Sequence, residues 1–316
     1  MSDATPDPLA AFRAVPAPPD PRASTLLRPP HPPEEGETVV LGLPYDGGIP
    51  TRPGARFGPK AIREALAAFG TYDGDREVAN ASDWGDLPLP TMNGAEAHAR
   101  IEAAAHEVFA AGARAIFLGG DHGCTGSVIR GLAAARPGLR LGVISIDAHL
   151  DVREYADDAS LSSGTPFRRA LESGIVEGGR VAMIGIRRFA NSRYYLDWAR
   201  EREITLITLD ELAVKGAVNA AKAALYAATR DADALYLSID MDAADAAFAP
   251  GVSATGIGGL TAREMIDIVT TIASHPKLIG ADVMELSPPY DHDARTAKLA
   301  ARLVLELLAG RTATAP

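Results

Sequence analysis

Four times in this chain a short, almost wholly apolar run ends abruptly in acids or imidazoles. "FLGG" runs into "DHG", "GVISI" into "DAHLD", "YLSI" into "DMD" and "GADVM" into "ELSPPYD". Runs of this kind, apolar on both faces, belong in a parallel sheet covered on both sides. Charged groups are costly to desolvate without a strong partner, so those that follow each run must meet one. In open parallel sheets the carboxyl edge of the strands is where ligands bind. The pattern therefore restricts the chain to a parallel α/β fold with one shared crevice.

The rest of the chain agrees. Candidate strands are Thr38–Pro44, Ala113–Gly119, Leu139–Asp147, Arg180–Ile186, Ile204–Leu209, Ala234–Asp240 and Leu278–Glu285. Candidate helices fall between them at Pro59–Phe69, Gly94–Ala111, Thr125–Ala135, Ser192–Arg202, Ala217–Arg230, Thr261–Ser274 and Ala294–Ala309. Several are rich in alanine, the strongest helix former. The alternation predicts a mainly parallel sheet with helices on both faces. Residues 1–36 are crowded with proline, as in "PAPPDP" and "RPPHPPEEG". Proline fixes φ and lacks a donor, so this stretch reads as an extended arm outside the core. Residues 37–316 then form a single catalytic domain without internal repeats.

Composition narrows the class of function. With 316 residues, 47% hydrophobic and 23% charged, the chain reads as a soluble globular protein able to bury a large core. Its one cysteine, Cys124, excludes an internal disulfide framework and fits a reducing cytosol as a packed residue. The start "MSDATPDPLAAFRAV" has no secretory pattern, and no apolar run reaches the ~18 residues of a membrane span. A cytoplasmic location is the expectation. A net charge of -10 argues against a nucleic-acid partner, and the clustering of acids in motifs favours cations.

The first three polar clusters supply His122; Asp147, His149 and Asp151; and Asp240 with Asp242. These are oxygen and imidazole donors with no paired thiolates, a set that suits Mn²⁺, Mg²⁺ or Fe²⁺ better than structural zinc. Four carboxylates carry a formal charge of about −4, which two divalent ions cancel and one does not. The count favours a dinuclear centre.

"GGDH", "SIDAHLD" and "SIDMDAADAAFAPG" resemble the signatures of the ureohydrolases: arginase, agmatinase, formimidoylglutamase and relatives. "PTRPGARFGPKAIREAL" and "DVMELSPPYD" resemble them too, and the likeness covers residues 38–309 in the family's order. It implies a three-layer α/β/α fold around a parallel sheet of about eight strands. It also implies a homo-oligomer, trimer or hexamer, and two Mn²⁺ per chain. By position, His122, Asp147, Asp151 and Asp240 would hold one ion and Asp147, His149, Asp240 and Asp242 the other. Asp147 and Asp240 would bridge them and so serve catalysis, with Glu285 orienting the cationic C–N group of the substrate.

One departure points to the substrate. Arginases and agmatinases carry a further histidine in the loop after "DAHxD", and here no histidine occurs between His149 and His275. "DVR", "SSGTPFR" and "GIRRFANSRYYLDWARERE" resemble formimidoylglutamase, which converts N-formimino-L-glutamate to glutamate and formamide in histidine degradation. A substrate with two carboxylates needs cationic anchors. Arg153, Arg168, Arg187, Arg188 and Arg193 are available, with Arg153 and Arg187 preferred. Ser163, Gly164 and Thr165 are candidate donors from hydroxyl or backbone. "FGPKAIREAL" and "SPPYDHDARTAKLAARL" are also similar to agmatinase, and His292 offers a distant proton shuttle. The alternative is thus an agmatinase, or another guanidino hydrolase releasing urea.

Overall fold

The computed structural model describes residues 20–157 and 161–310. Nine strands form one sheet: β1 (Leu27–Arg28), β2 (Thr38–Gly42), β3 (Ala81–Asp86), β4 (Arg114–Leu118), β5 (Leu141–Ile146), β6 (Val181–Ile186), β7 (Thr205–Thr208), β8 (Ala234–Asp240) and β9 (Leu278–Met284). Their order across the sheet is β1-β3-β2-β4-β9-β8-β5-β6-β7, and every pairing between them is parallel. The helices are α1 (Gly58–Leu66), α2 (Gly94–Ala110), α3 (Gly123–Ala135), α4 (Pro166–Glu172), α5 (Arg193–Glu201), α6 (Leu209–Lys215), α7 (Ala217–Thr229), α8 (Ala262–Ala273) and α9 (Arg295–Ala309).

Alternate strand residues feed two cores. Val40, Ile116, Ile144 and Leu237 face one side with α1 and α6 to α9. Val39, Phe117, Val143 and Tyr236 face the other with α2 to α5. This is the expected three-layer α/β/α arrangement. Helix α8 shows how sequence builds such a layer. Met265, Ile268, Val269 and Ile272 recur at helical spacing and are fully buried, each contributing about 1.5–3 kcal/mol. Thr261 and Glu264 close its N-terminus with a reciprocal capping box.

The expected parallel sheet is present with nine strands, β1 and β3 adding an edge that the candidate strands did not include. β3 reads "ASDWGD", too polar to suggest a strand, and its burial falls away along its length. The arm expected to lie outside the core contributes to it: Ala23 and Leu26 are buried and Leu27 pairs with Ala81. Residues 1–19 of that arm lie outside the described residues. Helices α4 and α6 also escaped notice, each seven residues long. Thr208 and Glu211 form a capping box at α6, so its signal was present. Among the described residues no helix is long and apolar enough to cross a membrane.

The sheet order positions the site. The four strands that end in polar clusters, β4, β9, β8 and β5, are consecutive neighbours at the centre. There the chain direction of winding changes, and a crevice opens beyond the strand ends.

Candidate metal centre

His122 enters at the start of α3, after the Gly119–Gly120 pair that leaves β4. A Cβ on Gly120 would lie 1.7 Å from the carbonyl oxygen of Tyr45, so only glycine lets the chain pass here. Asp147, His149 and Asp151 follow β5. Asp240 ends β8, with Asp242 two residues on. Glu285 follows β9.

These side chains converge. His122 Nδ1 lies 3.2 Å from Asp147 Oδ2, 2.9 Å from Asp151 Oδ2 and 3.1 Å from Asp240 Oδ2. His149 Nδ1 lies 3.0 Å from Asp242 Oδ2 and 3.5 Å from Asp147 Oδ1. Two groups able to hold a cation result: His122, Asp147, Asp151 and Asp240, and Asp147, His149 and Asp242. Asp147 belongs to both. Asp240, expected to bridge as well, joins only the first, and its Oδ1 accepts the Asp242 N–H at 2.7 Å. The His149 N–H likewise fixes Asp147 Oδ1 at 2.6 Å. Asp151 and Glu285 both have left-handed backbone, with φ of 49° and 66°, a strain that non-glycine residues carry where a site demands it.

The electrostatics call for cations. Burial, then the Asp147 charge, pushes Asp151 up to about 6. Burial followed by Asp242 and Asp147 drives Asp240 well above the carboxylate range. Burial opposes the charge on His149, but Asp147 and Asp242 outweigh it and push the imidazole up to about 12. Buried like charges at this spacing are stable only with a neutralising partner. His122 Nδ1 and Asp147 Oδ2 are buried without a hydrogen-bond partner, their lone pairs pointing into the cluster. The donor set, its charge and these orphaned atoms fit divalent ions.

The comparisons decide the family. Residues 36–310 match the model of the Arginase family. The chain belongs to the arginase family. It is therefore a hydrolase acting on amidine or guanidino C–N bonds. A formimidoylglutamase of Halobacterium salinarum is 36% identical over 281 residues, 88% of this chain and 89% of that protein. A guanidinopropionase of Pseudomonas aeruginosa is also 36% identical over 281 residues, 85% of each chain. Among solved structures, Trypanosoma cruzi formiminoglutamase with Mn²⁺ superposes with a TM-score of 0.85 at 30% identity, covering 94% of this chain and 100% of that one.

A cavity of about 290 Å³ opens onto the cluster. Glu285, Asp240, Asp242, Ser253 and Ala254 line it, as do Ile49 to Thr51 and Ser162 to Gly164, two segments joined through Gly48. The Gly48 N–H donates to buried Asp121 at 2.7 Å, and its carbonyl accepts the Ser163 N–H at 3.1 Å. Arg153 borders this cavity and a second one of about 150 Å³ that continues past Ala190, Asn191 and Ser192. Its backbone N–H donates to Gly164 O at 2.8 Å, and its side chain crosses over Gly164, where a Cβ would lie 2.6 Å from Arg153 Cδ.

Of the residues expected to bind substrate, Arg153, Ser163, Gly164 and Glu285 line the cavity. Arg187 and Thr165 do not. The Arg187 guanidinium turns away and donates to the carbonyls of Asp242 at 2.7 Å and Ala244 at 3.4 Å, bracing the Asp242 loop from behind. Thr165 is buried at the start of α4, its hydroxyl donating to Ser162 O at 2.9 Å. Arg168, Arg188 and Arg193 pair with Glu172, Asp210 and Asp197. His292 is exposed before α9 and lines neither cavity. Sequence reasoning missed the roles of Ser238, Ser253 and Asp282: Ser238 and Asp282 open two of the quoted motifs, but no local pattern shows which distant residue each one meets.

Proposed function

We propose that this protein is a dinuclear Mn²⁺ formimidoylglutamase, adding water across the reactive carbon of N-formimino-L-glutamate to give L-glutamate and formamide. The observation that carries the reading is Arg153. It makes no side-chain ion pair among the described residues. It is also the only basic side chain, apart from the candidate ligand His149, that borders the two joined cavities there. Away from the metal cluster and Glu285, no described residue of those walls is acidic. A tail bearing carboxylates finds a guanidinium there, and a charged-assisted pair of this kind is strong and directional. The cationic tail of agmatine finds no counter-charge among the described wall residues away from the metal cluster and Glu285. No histidine other than His149 lines the cavity among the described residues, in keeping with the missing loop histidine.

Divalent ions held by the cluster supply Lewis acidity that brings the pKa of water toward neutrality. The chain's own residues do the rest. Asp147, in both ligand groups, ties the two halves of the centre together. Arg153 anchors the carboxylate tail. Glu285, held by the His122 N–H at 2.8 Å, faces the cavity as an acceptor for the N–H groups of the cationic carbon. Ser163 and Gly164 shape the wall over which the tail runs.

The reading extends to a cytoplasmic homo-oligomer. The lone, buried Cys124 suits a reducing compartment. Phe189, Val214 and Ile257, 98%, 88% and 80% exposed, suit burial against another copy. Sedimentation of the purified protein checks the latter. The activity is tested by offering the Mn²⁺-loaded protein N-formimino-L-glutamate, agmatine and 4-guanidinobutyrate. Formamide from the first without urea from the others is expected. Urea from either guanidino compound, with the first untouched, overturns the assignment.

A further inference from the structure

Glu285 stands where two segments meet. An isolated antiparallel bridge joins Val252 to Leu286, and the Ser287 N–H donates to Gly251 O at 2.7 Å. One step further along each antiparallel segment brings Ser253 opposite Glu285. The Ser253 hydroxyl donates to Glu285 Oε2, while Oε1 accepts the His122 N–H at 2.8 Å. Both side chains are buried and both line the cavity beside Asp240 and Asp242. The carboxylate thus meets the substrate with one hydrogen bond already made on each oxygen.

A carboxylate has roughly four acceptor positions, and a guanidinium engages it best through two parallel N–H groups, one to each oxygen. The formimino group carries a C–H where the guanidino group carries a second NH₂. It has fewer donors to satisfy at the reacting carbon and needs less of the carboxylate. Resting on the formimino reading, we infer that Ser253 is a positioning and specificity residue. By holding Oε2 while the His122 N–H holds Oε1, it leaves one acceptor position on each oxygen, enough for two N–H groups of a formimino carbon and none for the additional NH₂ of a guanidino carbon. A buried donor left without its partner is penalised more heavily than a bond never needed, which gives the discrimination its direction.

The test uses two compounds that differ only at the reacting carbon, N-formimino-L-glutamate and N-amidino-L-glutamate. Mn²⁺-loaded wild type, Ser253→Ala and Ser253→Thr are compared by kcat/KM for each compound and by metal content. Wild type is expected to favour the formimino compound. Ser253→Ala is expected to keep its metal and to shrink that preference about tenfold, the worth of one hydrogen bond. Ser253→Thr, which keeps the hydroxyl, restores the wild-type ratio. An unchanged ratio in Ser253→Ala overturns the role of Ser253 and leaves the formimino reading standing. Metal loss in Ser253→Ala overturns it as well, by showing a merely structural residue. A wild type that favours the amidino compound overturns the formimino reading itself, and the inference with it.

Discussion

His122 Nε2 lies 2.9 Å from the hydroxyl of Ser238, and that hydroxyl donates to Asp282 Oδ1 at 2.6 Å. With its proton committed to Asp282, the Ser238 oxygen accepts from the imidazole. Nε2 therefore carries the hydrogen, and Nδ1 presents a lone pair to Asp147, Asp151 and Asp240. Asp282 is held in turn by the hydroxyls of Thr125 and Tyr236, each at 2.8 Å. A buried polar relay thus fixes the tautomer that a metal ligand requires.

Breaking that relay should cost metal before it costs fold. Ser238→Ala is expected to weaken Mn²⁺ binding by about 10–100-fold, the usual effect of removing the partner that orients a ligating imidazole. Calorimetric titration of metal-free protein measures it, and an affinity equal to wild type would refute the relay.

The two ligand groups predict unequal losses. Asp147→Ala removes a residue of both groups and should abolish stoichiometric binding of two ions. Asp242→Ala removes a residue of one and should leave one ion in the His122 group. Elemental analysis of dialysed protein separates these outcomes, and two ions retained by Asp147→Ala would contradict the shared ligand.

Arg153→Ala should leave the metal in place and reduce kcat/KM for N-formimino-L-glutamate by about 100-fold, the loss of a charge-assisted bond of about 3 kcal/mol. Gly164→Ala should act in the same direction, since its Cβ would meet Arg153 Cδ at 2.6 Å and displace the side chain. Steady-state kinetics with parallel metal assays decide, and wild-type kinetics in Arg153→Ala would remove that residue from the binding role.

His98 supplies a pH dependence away from the centre. Burial, and then the charges of Arg130 and Arg169, push its imidazole from 6.5 down to about 4. Between those values the unfolded chain binds more protons than the folded one. The contribution is fully present above the unfolded value and is lost as pH falls through about 4, amounting to about 3 kcal/mol. Denaturant titrations of metal-free wild type and His98→Gln, from about pH 7 to about pH 4.5, should show a smaller acid loss in the variant. Parallel losses would show that His98 does not carry this dependence.

The sequence by itself determined the parallel α/β architecture and picked out the six candidate ligands that the structure brings together. Apolar runs such as "LGVISI" have one stable place, inside a covered sheet, and acids directly after them must leave at its carboxyl edge. Those are local consequences of hydrophobicity and of the cost of burying charge. Only the tertiary structure decided which distant groups meet. That β4, β9, β8 and β5 lie side by side depends on how the crossovers wind, which no local pattern encodes. The same applies to Arg187. Its position beside the site was readable, but its side chain turned to the carbonyls behind Asp242, where buried acceptors needed a donor. Ser238, Ser253 and Asp282 gained their places by strand pairing and a single antiparallel bridge, contacts set by packing across the whole molecule.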